Sequence, residues 1–176
     1  MNPRRDAENR ARVRDEQMHS RLNDFRMSQP KHVLTEIRAY LLAQKDAGHP
    51  GNRVEADLKL KISDGRALIT LGPTIDRGPD PTHFYFNSGA RLSFGITIKA
   101  EGSDTRLLSY RFDYRNDQSI RLPVVRFELR ESPHDAPLLE PRAHFHPGIE
   151  TVRLPMQLLN PLEILDLLFF VLEPGR

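Results

Sequence analysis

The sequence predicts an α+β domain: N-terminal helices, then a mainly antiparallel sheet of six or seven strands, then a C-terminal helix packed on one sheet face. Three observations lead to this fold class. Apolar residues recur at intervals of three and four after residue 30, they alternate with polar residues between residues 54 and 130, and a nearly continuous apolar segment follows residue 160. The 176 residues are enough for one compact domain.

The first 29 residues form a predicted charged helical arm, and residues 30–176 form the single α+β domain. The arm contains seven Arg and five acidic residues, and its main apolar points are Met18, Leu22 and Phe25. Ser28 and Pro30 then predict the start of a helix, because Pro fits the first helical turn. The apolar face of this helix consists of Val33, Leu34, Ile37, Tyr40 and Leu41, and we expect it to stop at Gly48.

Alternating apolar and polar residues predict the strands. Residues 54–71 are expected to form a hairpin that turns at Ser63-Asp64-Gly65. A short aromatic strand at 83–86, longer strands at 92–100, 108–114 and 125–130, and a short strand at 143–146 then follow as a meander. The alternation puts Leu108, Tyr110, Phe112 and Tyr114 on one face. It predicts that Glu55, Lys59, Arg111 and Arg126 are largely exposed and that the buried set includes Val54, Leu58, Leu60, Phe94, Ile96, Phe112, Phe127 and Phe169.

The C-terminal helix has a clear start signal. Asn160 is the predicted N-cap, Pro161 the first helical residue, and Glu163 completes a capping box. The residues that follow are apolar nearly all round, which predicts burial on more than one side. We expect part of this helix to face another subunit, so a homo-oligomer is predicted through it.

Several classes of protein are excluded by the sequence. It has no cysteine, and it lacks a Gly-rich phosphate loop, a G-x-S-x-G elbow and an H-E-x-x-H helix. No run of roughly 18 apolar residues occurs, and the first residues lack the apolar segment of a signal peptide. A cytoplasmic protein with no membrane contact is therefore expected. Of its 26 basic residues 21 are Arg, whose planar guanidinium suits phosphate recognition.

His144 and His146 form the close histidine pair of the sequence. Residues two apart in a strand point to the same face, so both imidazoles are expected together, with Phe145 turned to the core. This geometry suits a two-histidine acid–base site or a metal pair. A third metal ligand for zinc, iron or manganese would come from His134, His83 or Glu128. Histidines that cap or line a polar loop are the simpler alternative.

A metal-free site is the preferred hypothesis. One histidine would act as general base and the other as general acid, while arginines stabilise the charge of a phosphoryl group. The predicted catalytic residues are His144, His146, Arg126 and Arg111, with no metal or cofactor. The arginines on or near the polar face are Arg111, Arg115, Arg126, Arg130 and Arg142. The alternative is a solvated sheet face held by cross-strand ion pairs.

The run L-S-Y-R-F-D-Y-R-N-D, an Arg-containing strand, the segment P-R-A-H-F-H-P and a terminal helix occur in that order. Residues 105–172 thereby resemble the TumE-like toxins of bacterial toxin–antitoxin modules, and residues 1–50 lie outside the resemblance. It implies a small cytosolic toxin-like protein that acts on RNA and has a cognate antitoxin. A different class of function remains open: a non-catalytic interaction module that binds a protein partner through the apolar C-terminal helix and the basic N-terminal arm.

Overall fold

The computed structural model describes residues 12–13, 21, 28–44, 48–73, 78–101, 104–119, 122–131, 142–149 and 151–173. The predicted arm lies almost wholly outside this set, including its apolar points Met18, Leu22 and Phe25, and so does His134. Within the described part of the chain, no helix is long and apolar enough to cross a membrane.

Helix α1, Pro30–Ala43, forms where the three-and-four spacing predicts it. Pro30 occupies the first turn, as expected, but the N-cap is Gln29 and not Ser28. The helix ends at Ala43, several residues before Gly48. Its buried face consists of Pro30, Val33, Ile37 and Leu41.

The prediction that a strand begins at residue 54 is wrong, because Val54–Asp57 forms a short helix, α2. The Leu58 N–H donates to the Val54 carbonyl at 2.9 Å, and the Arg53 guanidinium contacts the Asp57 carboxylate at 3.2 Å. Val54 and Leu58 are nevertheless buried, as predicted. A separation of four residues fits one helical turn as well as two strand repeats, so alternation alone could not separate the two structures.

Within the described residues the sheet has eight strands, and every pairing between them is antiparallel. The strands are β1 Lys59–Ser63, β2 Arg66–Leu71, β3 Phe84–Tyr85, β4 Arg91–Glu101, β5 Asp104–Arg115, β6 Val124–Leu129, β7 Ala143–Pro147 and β8 Leu154–Pro155. Their order is β1-β2-β4-β5-β6-β7-β8, and β3 pairs with β4. This confirms the meander and adds β8, a two-residue strand too short to leave an alternating pattern in the sequence.

The first hairpin is confirmed by its turn, since Asp64 and Gly65 have φ angles of 51° and 71°. Positive φ angles at both central residues are typical of the type I′ turn, whose twist matches that of the flanking strands. Strand β1 is an edge strand with one neighbour. Leu60 is therefore only half-buried, against the prediction, and Ile62 is 58% exposed.

Helix α1 and the C-terminal helix contribute to one core with the apolar sheet face. The C-terminal helix begins as α3, Pro161–Asp166, and continues as a π-helix over Leu167–Leu172. The predicted capping box is present at Asn160. The ring of Phe169 contacts the rings of Phe86, Phe84 and Tyr40 at centroid distances of 4.9, 5.4 and 5.7 Å.

Burial of the C-terminal helix on more than one side is not observed in the single chain. Ile164, Leu165 and Leu168 are fully buried. On the outer side, Leu167, Phe170 and Val171 are 37%, 62% and 64% exposed. We call these three residues the apolar patch.

A β-bulge interrupts the pairing of β4 with β5. Thr97 pairs with Ser109, and the next pair joins Ile98 to Leu107, so Leu108 is the extra residue. Leu107 is buried in place of Leu108, which corrects the predicted inner face of β5. The bulge therefore shifts the alternation of β5 in the residues that precede Ser109, and with it the side chains that point inward.

Candidate functional site

Six polar side chains of three neighbouring strands lie together on the sheet face opposite the helices. Residues directly opposite in an antiparallel pair point to the same face. The register joins Asp113 to Arg126 and Arg126 to His146, and it joins Arg111 to Glu128 and Glu128 to His144. We call this set the polar cluster: Arg111, Asp113, Arg126, Glu128, His144 and His146. It brings the four predicted catalytic residues together and adds two carboxylates.

Asp113 lies between two guanidinium groups. Its Oδ1 is 2.5 Å from Nε of Arg126, and its Oδ2 is 2.5 Å from Nε of Arg111. Asp113 is 2% exposed and Arg126 is 7% exposed, so the prediction that Arg126 is largely exposed is wrong. The carboxylate balances the charge of Arg126, and this attraction offsets the desolvation of the buried cation. The side chain of Arg111 is 30% exposed and reaches closer to solvent.

His144 and His146 both face the carboxylate of Glu128. Their Nε2 atoms lie 3.6 and 3.8 Å from the same oxygen, Oε2. The two rings are 5.0 Å apart between centroids and are inclined by 63°. Both histidines are buried, at 0% and 2% exposure, whereas the side chain of Glu128 is 20% exposed. We call these three residues the His–Glu triad.

The second oxygen of Glu128 points to a different partner. Oε1 lies 3.3 Å from Nε of Arg130. Contact with His144, supported by the charge of Arg130 and opposed by burial, lowers the pKa of Glu128 to about 2. The carboxylate is therefore ionised at neutral pH. It connects the buried histidines with the arginine on its other side.

An open groove of about 730 Å³ lies beside the His–Glu triad. Gly95, Thr97 and Ser109 are small and leave space above β4 and β5, next to the bulge. Among the described residues that line the groove, Glu128 is the only member of the triad. The others are Leu68, Gly95, Thr97, Ser109, Tyr110, Arg111, Leu129, Arg130 and Glu131. Arg66 reaches the rim, where it contacts Glu131 at 2.8 Å.

The other residues singled out in the sequence lie elsewhere. Arg142 donates hydrogen bonds to the carbonyl groups of Arg130 and Glu131, so it joins the start of β7 to the end of β6. His83 is buried in the segment before β3, where its Nδ1 lies 3.1 Å from the Asp80 backbone nitrogen. Arg115 is half-buried at the end of β5. Of the two candidate third ligands that the structure describes, Glu128 lies beside the histidine pair and His83 does not.

Asp113 was absent from the predicted site, although a signal for it existed. The alternation of β5 places it on the same face as Arg111, and an acidic residue beside an arginine on a sheet face predicts an ion pair. The pairing with Arg126 depends on the register between β5 and β6, which sequence spacing alone did not supply. The sequence indicates Arg130 only as one of several arginines near the polar face, and its contact with Glu128 depends on the end of β6.

The arrangement supports two kinds of chemistry. Guanidinium groups in the groove can bind phosphate or another anion. The His–Glu triad offers two imidazole nitrogens and one carboxylate oxygen, all within 4.8 Å of one another. These donors can carry protons or coordinate a divalent cation. Among the described residues, the triad is therefore the candidate for proton transfer or metal coordination.

Comparisons of this chain with protein-family models, with curated proteins and with solved structures found no match.

Proposed function

We propose that the protein is a cytoplasmic, toxin-like ribonuclease that binds RNA in the groove and cleaves it with the help of the His–Glu triad. One observation carries the proposal. Glu128 lines the groove beside Arg111 and Arg130, and the same carboxylate faces both buried histidines. A reactive group and groups that bind phosphate are thereby adjacent on one open surface.

RNA binding rests on the groove. Arg111 and Arg130 have side chains that are 30% and 27% exposed, so they are held by the protein and still accessible. A guanidinium donates two parallel hydrogen bonds to a phosphate, which fixes the position of the backbone. A volume of about 730 Å³ falls within the range of sites for small molecules, roughly 300–1,000 Å³, and accommodates a nucleotide.

Cleavage would use the ribose 2′-OH as nucleophile. The 2′-oxygen attacks phosphorus, the P–O5′ bond breaks, and a 2′,3′-cyclic phosphate and a 5′-OH are formed. The His–Glu triad takes the proton of the 2′-OH and returns it to the 5′-oxygen, so no net proton is consumed. Because the histidines are buried, Glu128 is the member of the triad that contacts RNA, and His144 and His146 act through it.

The test combines growth and RNA cleavage. Expression of the parent protein should arrest bacterial growth, and the purified protein should cleave RNA. Glu128→Gln and the double variant His144→Ala, His146→Ala should each lose roughly 10²-fold or more of the cleavage rate. Arg111→Met should weaken RNA binding. His32→Ala is the matched control, because His32 is an exposed helical histidine that also contacts a glutamate, Glu36.

Two results would reject the ribonuclease. The parent protein could leave RNA intact and growth unaffected, or the double histidine variant could remain as active and as toxic as the parent. Circular dichroism must show that each variant is folded, since His144 is fully buried. A cognate antitoxin, the partner that a toxin of this kind requires, should restore growth when it is expressed together with the parent protein.

A second candidate function is a non-catalytic interaction module. The apolar patch supports it, because Phe170 and Val171 are both more than half exposed on the C-terminal helix. Adjacent exposed apolar side chains of this size are typical of contacts between proteins. The patch would receive a protein partner or a second copy of the chain. Loss of binding after patch substitutions, with no effect of triad substitutions, would favour this function over the ribonuclease.

A further inference from the structure

The His–Glu triad has the composition and the spacing of a metal site. His144 and His146 are on one strand and Glu128 is on the next, directly opposite His144. Their Nε2–Oε2 distances are 3.6 and 3.8 Å. Ligands at 2.0–2.1 Å from a tetrahedral zinc ion lie roughly 3.3 Å from one another. The two histidine–glutamate distances are slightly longer than this spacing, and all three donors lie within 4.8 Å of one another, so rotations of the side chains would let them share one ion.

The backbone fixes this spacing. Antiparallel pairing of β6 with β7 sets the positions of all three residues, and β8 pairs with the other edge of β7 at His144. Both imidazoles are almost fully buried and therefore have few alternative rotamers. A prearranged set of donors loses little conformational entropy when an ion binds.

We infer that Glu128, His144 and His146 bind a divalent first-row transition-metal ion, with zinc as the first candidate. Two histidines and one glutamate make up the protein ligands of a known class of catalytic zinc sites, in which water or substrate occupies the fourth position. The sequence has no cysteine, so nitrogen and oxygen donors are the ones available to such an ion. Hard cations such as calcium prefer six to eight oxygen ligands, and this donor set does not provide them.

The inference shares its residues with the proposed ribonuclease, but it does not rest on RNA cleavage. Glu128 lines the groove, so an ion held by the triad would lie at the groove edge. The three side chains would then be ligands, and water in the groove, instead of the triad, would take the proton of the 2′-OH and return one to the 5′-oxygen. The ion would activate the nucleophile and neutralise charge on the phosphate. The proposed enzyme would accordingly be metal-dependent, in contrast to the metal-free site expected from the sequence.

Metal binding is measured on tag-free protein that has been treated with chelator and dialysed. Calorimetric titration with Zn²⁺ should give one ion per chain. Co²⁺ should give the visible absorption of a four- or five-coordinate site. Glu128→Gln, His144→Gln and His146→Gln should each weaken Zn²⁺ binding by roughly 100-fold or more, since even substitutions beyond the ligands cost about 10- to 100-fold.

His32→Ala is the control, because His32 Nε2 lies 3.3 Å from Glu36 in a histidine–glutamate pair outside the sheet. It should bind Zn²⁺ as the parent does. If a histidine variant does not fold, Glu128→Gln decides, since Glu128 is partly exposed. The inference is overturned if the parent binds neither ion, or if Glu128→Gln binds as tightly as the parent. RNA cleavage without metal binding would overturn this inference alone, and metal binding without RNA cleavage would reject the ribonuclease alone.

Discussion

Neutralising Asp113 should destabilise the protein more than most single substitutions. In Asp113→Asn, the carboxylate that contacts Arg126 and Arg111 at 2.5 Å becomes an amide. Arg126 is 7% exposed, so its charge would remain buried after the carboxylate of Asp113 is lost. Breaking a buried ion pair by removing one partner costs about 3–5 kcal/mol. A chain of this length loses roughly 2–4 °C of melting temperature per kcal/mol, so we expect a decrease of roughly 6–20 °C.

The assay is thermal unfolding followed by circular dichroism, together with urea titration. The double variant Asp113→Asn, Arg126→Met removes both buried charged groups and should recover part of the lost stability, because an apolar side chain can replace a buried ion. Arg66→Met is the matched control. Its partner is Glu131, and the two side chains are 55% and 38% exposed, so the change should cost at most about 1 kcal/mol.

Two results would refute the reasoning. Asp113→Asn could melt within about 2 °C of the parent, which is below the shift expected from 1 kcal/mol in a chain of this size. The double variant could also be less stable than Asp113→Asn alone. The first outcome would mean that the pair contributes little to folding, and the second that Arg126 stabilises the protein through other contacts.

The remaining predictions concern the C-terminal helix. Leu165→Asp and Phe169→Asp should each cost on the order of 3 kcal/mol or more, because both side chains are at most 1% exposed and a buried charge there has no counter-ion among the apolar core residues; folded protein with unchanged melting would contradict this. We expect the parent to self-associate through the apolar patch and Phe170→Ser, Val171→Ser to be monomeric with stability changed by less than about 1 kcal/mol. Light scattering of the parent and of the double variant measures their oligomeric states. A monomeric parent would show that the patch does not join two copies.

Local patterns in the sequence determined much of the fold. The capping box at Asn160 depends on residues within one helical turn, so the start of α3 was predicted at the correct residue. The turn at Asp64 and Gly65 likewise depends on neighbouring residues. Alternation also assigned Phe94, Ile96, Phe112 and Phe127 to the buried face, and the structure confirms all four.

Part of the site also depends only on residues that are close in the sequence. His144 and His146 are two apart in one strand, so their shared face followed from the geometry of a strand alone. Their proximity to Arg111 and Arg126 was expected from the predicted order of strands. The register of β6 against both neighbours brings these residues onto one surface.

Tertiary structure decided which polar residues meet and how deeply they are buried. Glu128 was one of three candidate third ligands, and the pairing of β6 with β7 placed it opposite His144. Periodicity gives the face of a side chain but not its neighbour across the sheet. It also assumes that a polar face is solvated, and this assumption fails at Asp113 and Arg126, where opposite charges balance each other and allow burial. The sequence by itself thus determined most of the strands and the histidine pair, whereas strand register and charge pairing determined the site.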